Sequence, residues 1–358
     1  MLSLENRPAS MFSPSRARQN LPRAPFGLSG WPWTEKQERL PDRLPDGSPW
    51  PKISIVTPSY NQGRFLEETI RSVLLQDYPN LEYVIIDGGS KDNSVEIIKK
   101  YATWLDYWVS ERDLGQSHAI NKGWVRQSGA LFGWLNSDDT LLPGALAGAA
   151  LLMWGNPTCG LFYGLSRLIG EHGEVLRSRH GGDFCLLEAL RSSKNILAQP
   201  STFISRKALD KVGGLDESME MSMDYDLWVR VGAYFPVVGS REVWSQERMW
   251  SGAKTSNIQY RAGPEHLRTV RKVFDKDVSR ELRDIRSVAF AAAYARVARC
   301  YLQQGKGLKA RFALAMGCWY HGPTALEMIK SAMGPMLLGR GAWSLGARIQ
   351  KGIRMVDR

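Results

Sequence analysis

Short apolar runs alternate with amphipathic stretches between residues 52 and 140. Between the first two runs, apolar residues recur three and four positions apart from Phe65 to Leu74, which predicts a helix with one buried face. Strands that alternate with helices favour an α/β fold, with a mostly parallel sheet flanked by helices. The runs that predict strands are 53–56, 81–86, 107–110 and 131–135.

Polar loops follow three of these strands, at residues 57–63, 87–90 and 136–139. In an open α/β sheet, ligands bind in a crevice at the carboxyl ends of the strands. We therefore expect the three loops to converge, although they are far apart in the sequence.

The rest of the pattern divides the chain into a tail, a central domain and an extension. Residues 1–50 mix Pro, Arg, Ser and Gly without hydrophobic periodicity, which indicates a disordered or loosely draped tail. Residues 51–257 hold the predicted sheet. Residues 258–358 predict helices alone, so we expect a C-terminal all-helical extension.

The net charge is spread unevenly along the chain. Residues 261–358 carry 19 Lys and Arg against 7 Asp and Glu, whereas residues 1–260 carry 28 against 29, so the whole surplus of +11 lies in the extension. Such a surplus favours an anionic partner, either membrane lipid or nucleic acid, unless the helices are merely Arg-rich on solvated faces. Residues 328–358 form a basic amphipathic segment that suits a membrane surface, although a core helix or a disordered tail would look similar.

The spacing of the cysteines and the N-terminal residues indicate the cellular compartment. The four cysteines have no paired spacing, which favours free thiols in a reducing environment. No basic start precedes an apolar run, and the longest apolar run, 145–155, is too short to span a bilayer. We expect a cytoplasmic protein, with the inner face of the cell membrane as a peripheral location.

Two adjacent carboxylates, Asp138 and Asp139, follow the strand at 131–135. Neighbouring carboxylates repel each other and burial adds to the cost, which a divalent cation would remove. Oxygen ligands favour Mg²⁺ or Mn²⁺. The alternative is that one Asp caps the helix that begins near Pro143 while the other is solvated.

The other two loops offer groups that suit a nucleotide. Thr57 provides a hydroxyl, Tyr60 an aromatic face for a nucleobase, and Asp87 an acceptor for a base N–H. Gly88 and Gly89 allow close backbone approach, although an Asp-Gly-Gly-Ser loop is also an ordinary turn. The chain has no G-x-G-x-x-G after the first strand and no G-x-x-x-x-G-K-[ST], which disfavours dinucleotide oxidoreductases and P-loop enzymes.

Several motifs in one order resemble family 2 glycosyltransferases, whose GT-A fold is related to the Rossmann fold. They are TPSYNQG at 57–63, DGGS at 87–90, DLGQSHAINKG at 113–123 and GWLNSDD at 133–139. The resemblance implies a nucleotide-binding half at 51–140, with Thr57, Tyr60 and Asp87 at the nucleotide, and an acceptor half at 141–257. It also implies that Asp138 and Asp139 bind the metal and the diphosphate.

The resemblance extends to MDYDLWVR at 223–230, which is similar to the family motif E-D-Y-D-L-W-x-R. The first Asp of that motif is the catalytic base, here Asp224, with a plain helix cap as the alternative. Asp226 is expected to support the helix by pairing with Arg230 one turn later. Asn121 is expected to direct its amide at the donor sugar or at the backbone.

The chain departs from the family pattern after the base helix. Many relatives carry a His there that helps to bind the metal or the diphosphate, whereas this chain reads ERMWSGAK at 247–254. Arg248 or Lys254 is the candidate to neutralise the diphosphate instead, unless this segment is a plain surface loop.

The resemblance implies inverting transfer of a sugar, with a UDP-sugar favoured as donor, a glycan or lipid-linked acceptor, and Mn²⁺ or Mg²⁺ as cofactor. Cell-surface polysaccharide synthesis is the implied pathway, and no nucleic acid is expected as a partner. Two other classes stay open: a catalytically inactive GT-A scaffold that binds glycan or nucleotide, and a nucleotidyltransferase. The carboxylates together disfavour the first, and the missing phosphate loop disfavours the second.

Overall fold

The structure is a computed structural model that describes residues 21–35, 37–276 and 278–337, without the side chains of 255–256 and 325–337. Among these residues the chain forms two compact units. The first contains the residues up to Phe184, Ile196–Glu220 and Tyr234–Ala253, and the second contains Cys185–Asn195, Met221–Ala233 and the residues from Lys254 onward. This division differs from the boundary near residue 258 that the sequence suggests, because two segments between 185 and 233 pack with the helices instead of the sheet.

The described part of the first unit is built around one mixed sheet of nine strands. The strands are β1 Ile53–Ser59, β2 Leu81–Asp87, β3 Tyr107–Ser110, β4 Leu131–Trp134, β5 Thr140–Leu141, β6 Leu161–Ile169, β7 Val175–His180, β8 Thr202–Ser205 and β9 Val237–Arg248. Their order is β3-β2-β1-β4-β8-β6-β9-β5, and β7 pairs with β6.

The parallel part of the sheet is the part that the strand–helix alternation predicts. β3, β2, β1 and β4 are parallel neighbours, whereas β8 is antiparallel to both β4 and β6. β9 then runs parallel to β6. The expected α/β class, with flanking helices and a helical C-terminal region, is confirmed.

Helices flank the sheet in the first unit and make up the regular structure described in the second. Those of the first unit are α1 Gly63–Leu74, α2 Ser94–Tyr101, α3 Gln116–Trp124, α4 Ala145–Gly155 and α6 Arg206–Val212. Those of the second unit are α5 Leu186–Ser192, α7 Met223–Gly232, α8 Lys254–Ile258, α9 Ala262–Phe274, α10 Arg280–Asp284, α11 Arg286–Gln303 and α12 Gly307–Leu337.

The core of the first unit follows from the hydrophobic pattern. Every residue of β1 is buried, as expected for a central strand that is covered on both faces. In α1 the predicted apolar positions are buried, and Leu66, Ile70 and Val73 are fully enclosed. Complete burial of such a side chain contributes roughly 1.5–3 kcal/mol. α1 and β1 therefore hold the loop between them in a fixed position.

Residues 21–35 and 37–50 contain no helix or strand, yet they are attached to the first unit. The Trp31 indole N–H donates to the Leu141 carbonyl at 2.7 Å. The buried Arg71 guanidinium of α1 donates to three carbonyl groups of the segment, those of Pro22, Pro32 and Trp33. Residues 1–20 of the expected tail lie outside the described residues.

The second unit is centred on α11, which packs against α9 and α12. Its buried face is rich in alanine, which allows neighbouring helices to approach closely. Phe290 of α11 stacks on Tyr320 of α12 with ring centroids 4.7 Å apart. None of the helices in the described chain combines the length and the apolar character that a membrane span requires. Residues 338–358 of the basic amphipathic segment lie outside the described residues.

Candidate active site

The three loops that the sequence predicts to converge do meet in the structure. Gln62, after β1, donates from Nε2 to Oδ2 of Asp138, after β4, at 2.9 Å. Ser137 Oγ donates to the Oε1 atom of the same Gln62. The loop after β1 also meets the loop after β2, because the Asn61 backbone N–H donates to Ser90 Oγ at 2.8 Å. Residues distant in sequence therefore line one edge of the parallel strands.

Asp138 and Asp139 are both buried at this edge. Asp138 Oδ2 accepts a second hydrogen bond, at 2.9 Å, from the indole N–H of Trp250. Asp139 accepts one from the Arg248 backbone N–H at 2.9 Å and one from Asn136 Nδ2 at 3.1 Å. Neutral donors thus fix both carboxylates in orientation without supplying a positive charge.

The electrostatics of the pair favour a cation. Burial raises the pKa of Asp138, and burial together with the carboxylates of Asp138 and Glu247 raises the pKa of Asp139 well above its usual range. A nearby positive charge would keep both groups ionised. The alternative expectation, a cap on the helix after Pro143, is wrong, since α4 has Gly144 at its N-cap and no side-chain cap.

The donor set fits a divalent cation whose coordination is completed by its substrate. In the part of the chain that the structure describes, no group of three or more His, Cys, Asp and Glu side chains is arranged to hold a metal ion. Mg²⁺ and Mn²⁺ nevertheless take one or two carboxylates and fill the other positions with phosphate oxygens and water. Asp138 and Asp139 suit that kind of site.

Arg248 is only 6% exposed and donates to groups of the protein. Its Nε donates to the Asp138 carbonyl at 3.0 Å, its Nη2 pairs with Glu68 Oε2 at 2.7 Å, and its Nη1 donates to the Glu171 carbonyl at 3.1 Å. The described hydrogen bonds of Arg248 are thus made to protein groups, and its role at a diphosphate, like that of Lys254, stays a prediction. The guanidinium anchors the backbone on which the carboxylate pair is mounted.

Tyr60 and Thr57, which are expected to contact the nucleotide, differ in exposure. Tyr60 is 62% exposed, and its ring lies against Gly88, where a Cβ would be 3.3 Å from the Tyr60 ring. Thr57 is fully buried and shares a hydrogen bond of 2.9 Å with the Tyr83 hydroxyl. The Tyr60 ring is thus open to a ligand, whereas the Thr57 hydroxyl is occupied in the core.

Asp87 is fully buried and organises its own loop. Its Oδ2 accepts hydrogen bonds from the backbone N–H groups of Gly89 and Ser90, at 3.1 and 2.9 Å. Ser110 Oγ, on the adjacent strand β3, donates to the same oxygen at 2.6 Å. The carboxylate therefore fixes the turn that follows β2.

Asn121 holds the backbone, one of the two roles that the sequence leaves open. Its Nδ2 donates to the Leu215 carbonyl and its Oδ1 accepts from the Leu215 N–H, both at 2.9 Å. The same Nδ2 donates to Glu217 Oε1 at 2.9 Å. The structure thus joins Asn121 to the loop after α6 and not to the carboxylate pair.

Asp224 belongs to the second unit, in the first turn of α7, whose N-cap is Ser222. Asn195 Nδ2 donates to its Oδ2 at 2.6 Å, and the Tyr225 backbone N–H donates to its Oδ1 at 2.8 Å. Burial raises the pKa of Asp224 to about 6, and the two hydrogen bonds oppose that rise. A carboxyl group with this pKa is largely ionised at neutral pH and is still basic enough to accept a proton.

The expected pairing of Asp226 with Arg230 is confirmed, with Arg230 Nε and Asp226 Oδ2 2.7 Å apart. Lys272 of α9 is 2.9 Å from the other carboxylate oxygen. Asp226 is fully buried, so these cations compensate a charge in the interior. Its role is to attach α7 to α9.

Sequence reasoning did not single out Gln62, Trp250 or Asn195, although each donates to a candidate carboxylate. Gln62 lies in a loop that the pattern marks, at the end of β1. The other two have no local signal, because the chain folds back over a long distance to bring them to Asp138 and Asp224.

Comparison with known proteins identifies relatives of this chain. The model of glycosyl transferase family 2 matches residues 54–212. An uncharacterized glycosyltransferase of Mycobacterium tuberculosis is 31% identical over 184 residues, which cover 50% of this chain and 68% of that protein. One of Rickettsia felis is 28% identical over 216 residues, and this chain spans about a third of its length, 36%.

Two solved structures share the fold. The TarS fragment of S. aureus in complex with UDP-GlcNAc has a TM-score of 0.52 at 15% identity and covers 76% of this chain and 92% of that chain. The mannosyltransferase PcManGT from Pyrobaculum calidifontis, in complex with GDP-Man and Mn²⁺, has a TM-score of 0.54 at 17% identity and covers 84% of each chain. At these identities the likeness concerns the fold.

Replacing Arg248 should destabilise the protein, because it leaves the partly buried Glu68 carboxylate and the Asp138 carbonyl without their donor. We expect Arg248→Met to lower the free energy of unfolding by about 3 kcal/mol, as when one partner of a buried ion pair is removed. Urea denaturation measures the change. Arg64→Met is the matched control, since Arg64 pairs with Glu171 on the surface and should unfold near the wild-type midpoint. Equal midpoints for the two variants would contradict this account.

Proposed function

We propose, since the chain belongs to glycosyl transferase family 2, that it is an inverting glycosyltransferase that moves a sugar from a nucleoside-diphosphate sugar to an acceptor hydroxyl. The observation that carries the proposal is the buried Asp138–Asp139 pair at the edge of the parallel strands, joined through Gln62 to the loop after β1. Two buried carboxylates suit a diphosphate only when a cation accompanies it. A metal–nucleotide donor is the ligand class that meets this condition.

Asp138 and Asp139 would hold Mn²⁺ or Mg²⁺ together with the donor. When bound, such an ion stabilises negative charge on the leaving diphosphate as a Lewis acid. The chain's own contribution is orientation: Gln62 and Trp250 fix Asp138, while the Arg248 backbone N–H fixes Asp139. The ligands are therefore in position before the donor arrives.

The nucleobase would lie on the exposed ring of Tyr60, one edge of which lies against Gly88. Asp87 supports this place by holding the turn after β2. UDP-sugars are the first donors to test, because TarS, which shares the fold, is seen with UDP-GlcNAc. GDP-mannose follows, on the same ground from PcManGT.

Asp224 would act as the general base. An acceptor hydroxyl has a pKa far above 7, so a carboxylate must take its proton as the oxygen attacks the anomeric carbon. The pKa of Asp224, raised to about 6, matches this task at neutral pH. A single displacement of this kind inverts the configuration of the anomeric carbon.

The rival function is an inactive scaffold that binds glycan or nucleotide without transfer. Binding alone would not require Asp224 to be held as an oriented carboxylate by Asn195. It would not require two adjacent buried carboxylates either, because their repulsion costs stability. Transfer is therefore the function that accounts for all of these groups.

The acceptor would be a glycan or a lipid-linked sugar for the cell surface, met at the membrane. α12 carries an exposed apolar stripe at helical spacing, formed by Leu308, Phe312 and Trp319, which are 83%, 70% and 85% exposed. Exposed Lys309 and Arg311 lie within the same turns. An apolar stripe flanked by basic residues matches the surface of an anionic bilayer. We propose peripheral docking there, on the cytoplasmic side.

Removing a metal ligand should separate donor binding from folding. We expect Asp139→Ala to lose the Mn²⁺-dependent part of UDP-sugar affinity, at least about tenfold, because the ion loses a carboxylate. Isothermal titration calorimetry with Mn²⁺ and with EDTA measures the difference. Asp183→Ala, which removes an exposed carboxylate, is the control. Unchanged Mn²⁺-dependent affinity in folded Asp139→Ala would exclude the metal assignment.

Removing the base should spare binding and reduce transfer. We expect Asp224→Asn to keep donor affinity and to lower turnover by at least about 10²-fold. Wild-type turnover should fall as the pH decreases below about 6, since protonation of Asp224 removes the acceptor of the proton. The pH–rate profile at saturating donor tests both expectations. Near wild-type turnover in Asp224→Asn would leave Asp224 with a structural role only.

Charge placed in the apolar stripe should abolish membrane docking. We expect the wild type to sediment with phosphatidylglycerol vesicles at low salt and to be released at high salt. Phe312→Glu/Trp319→Glu should reduce the bound fraction about tenfold. Val175→Glu/Leu176→Glu, at exposed apolar residues of β7, is the matched control and should bind as wild type. If both double variants sediment alike, or wild type does not bind, the stripe is not a membrane surface.

A further inference from the structure

The loop that follows α5 brings a side-chain amide to Asp224. Ser193 has φ 50 and ψ 42, the left-handed conformation that is uncommon for a residue other than glycine. The chain reverses there, and two residues later Asn195 Nδ2 donates to Asp224 Oδ2 at 2.6 Å. This is the short distance expected of a hydrogen bond to a charged acceptor.

Two helices that follow much later in the sequence hold this loop. Arg296 of α11 donates from Nη1 to the Ser193 carbonyl at 2.9 Å. His266 of α9 shares a hydrogen bond of 3.0 Å, through Nδ1, with the Ser193 hydroxyl. Ser193 is fully buried, so neither bond is weakened by competing water. The left-handed backbone at Ser193 is thus held by hydrogen bonds from both α9 and α11.

Helices α9 and α5 fix the other side of the contact. The His266 ring stacks on the Tyr225 ring with centroids 3.8 Å apart and an angle of 7°. The Tyr225 hydroxyl donates to the Ala189 carbonyl of α5 at 3.0 Å. Because Tyr225 follows Asp224 directly, the stack and this hydrogen bond determine where the carboxylate lies. Asn195 and Asp224 are therefore held by one network.

From this network we infer that Asn195 is the positioning residue of Asp224, and that α9 and α11 serve the reaction by holding Asn195 in place. The inference rests on the proposed role of Asp224 as the base. The amide fixes the rotation of the carboxylate and favours its ionised form, since a hydrogen bond to the charged form stabilises it. Because Oδ1 accepts from the Tyr225 backbone N–H and Oδ2 from Asn195, each oxygen keeps one lone pair for the acceptor hydroxyl.

The charged groups around Asp224 either favour its protonated form or have other partners. Burial and the nearby Glu265 carboxylate both favour the protonated acid. Asp226 has its own cations in Arg230 and Lys272, and burial with Arg296 nearby lowers the pKa of His266, so that its ring is neutral. Arg296 is the facing cation, and it is committed to the Ser193 carbonyl. Asn195 is thus the side chain that donates directly to the carboxylate.

The decisive variant is Asn195→Ala, because Asn195 is exposed and its loss should not unfold the protein. We expect the midpoint of the acidic limb of the pH–rate profile to rise by about one unit. Turnover at the wild-type midpoint should fall about fivefold, with donor KM within about twofold. Asn195→Asp, which keeps the shape but places a second carboxylate there, should raise the midpoint further. Lys194→Ala is the matched control and should leave the profile unchanged.

A readout without turnover separates this inference from the proposed function. In protein labelled with [¹³C]aspartate, the carboxyl signal that Asp224→Asn removes reports the titration of Asp224 directly. We expect its midpoint to rise in Asn195→Ala, and to rise less in Ser193→Gly, which tolerates the left-handed backbone but lacks the hydroxyl. An unchanged midpoint in Asn195→Ala overturns the inference even if the enzyme is active. A shifted midpoint in a protein that transfers no sugar overturns the proposed function alone.

Discussion

The placement of two adjacent carboxylates, Asp138 and Asp139, in the interior is the constraint on which the first unit depends. Each lies where water cannot fully solvate its charge, and each raises the energy of the other. Neutral donors from Gln62, Trp250, Asn136 and the Arg248 backbone orient them without neutralising them. The fold thus keeps a position of unbalanced negative charge at the edge of its parallel strands. Such a position is costly, and a nearby positive charge would lower that cost.

The contacts of Arg248 explain why its guanidinium does not form an ion pair with either carboxylate. A guanidinium beside two carboxylates would normally pair with them, yet this one pairs with Glu68 and donates to the carbonyl groups of Asp138 and Glu171. The positive charge therefore supports the backbone while the carboxylate oxygens stay available.

The sequence predicts those parts of the fold and site that depend on local pattern. The apolar runs locate β1, β2, β3 and β4, and the rule for the carboxyl ends of parallel strands brings Gln62 and Asp138 into one place. The roles of Arg248 and Asn121 could not be assigned in this way. Arg248 is buried because β9 runs beside β6, and Asn121 is saturated because the loop after α6 returns to it. Both results come from long-range pairing, which leaves no periodic signal in a polar segment.

Asp224, the carboxylate in the second unit, needs a different pKa from that of a metal ligand. A metal ligand should remain ionised, whereas a base must be ionised before the reaction and protonated after it, so its pKa should lie near the working pH. Burial and the Glu265 carboxylate alone would raise the pKa of Asp224 further, so that the group would be mostly protonated. The hydrogen bonds alone would lower its pKa, so that the carboxylate would be a weak proton acceptor. The Asn195 and Tyr225 donors offset part of the effect of burial, which leaves the pKa at about 6. Because α5, α9 and α11 all contribute to that balance, removing the helices of the second unit would change the pKa of Asp224 as well as the stability of the unit.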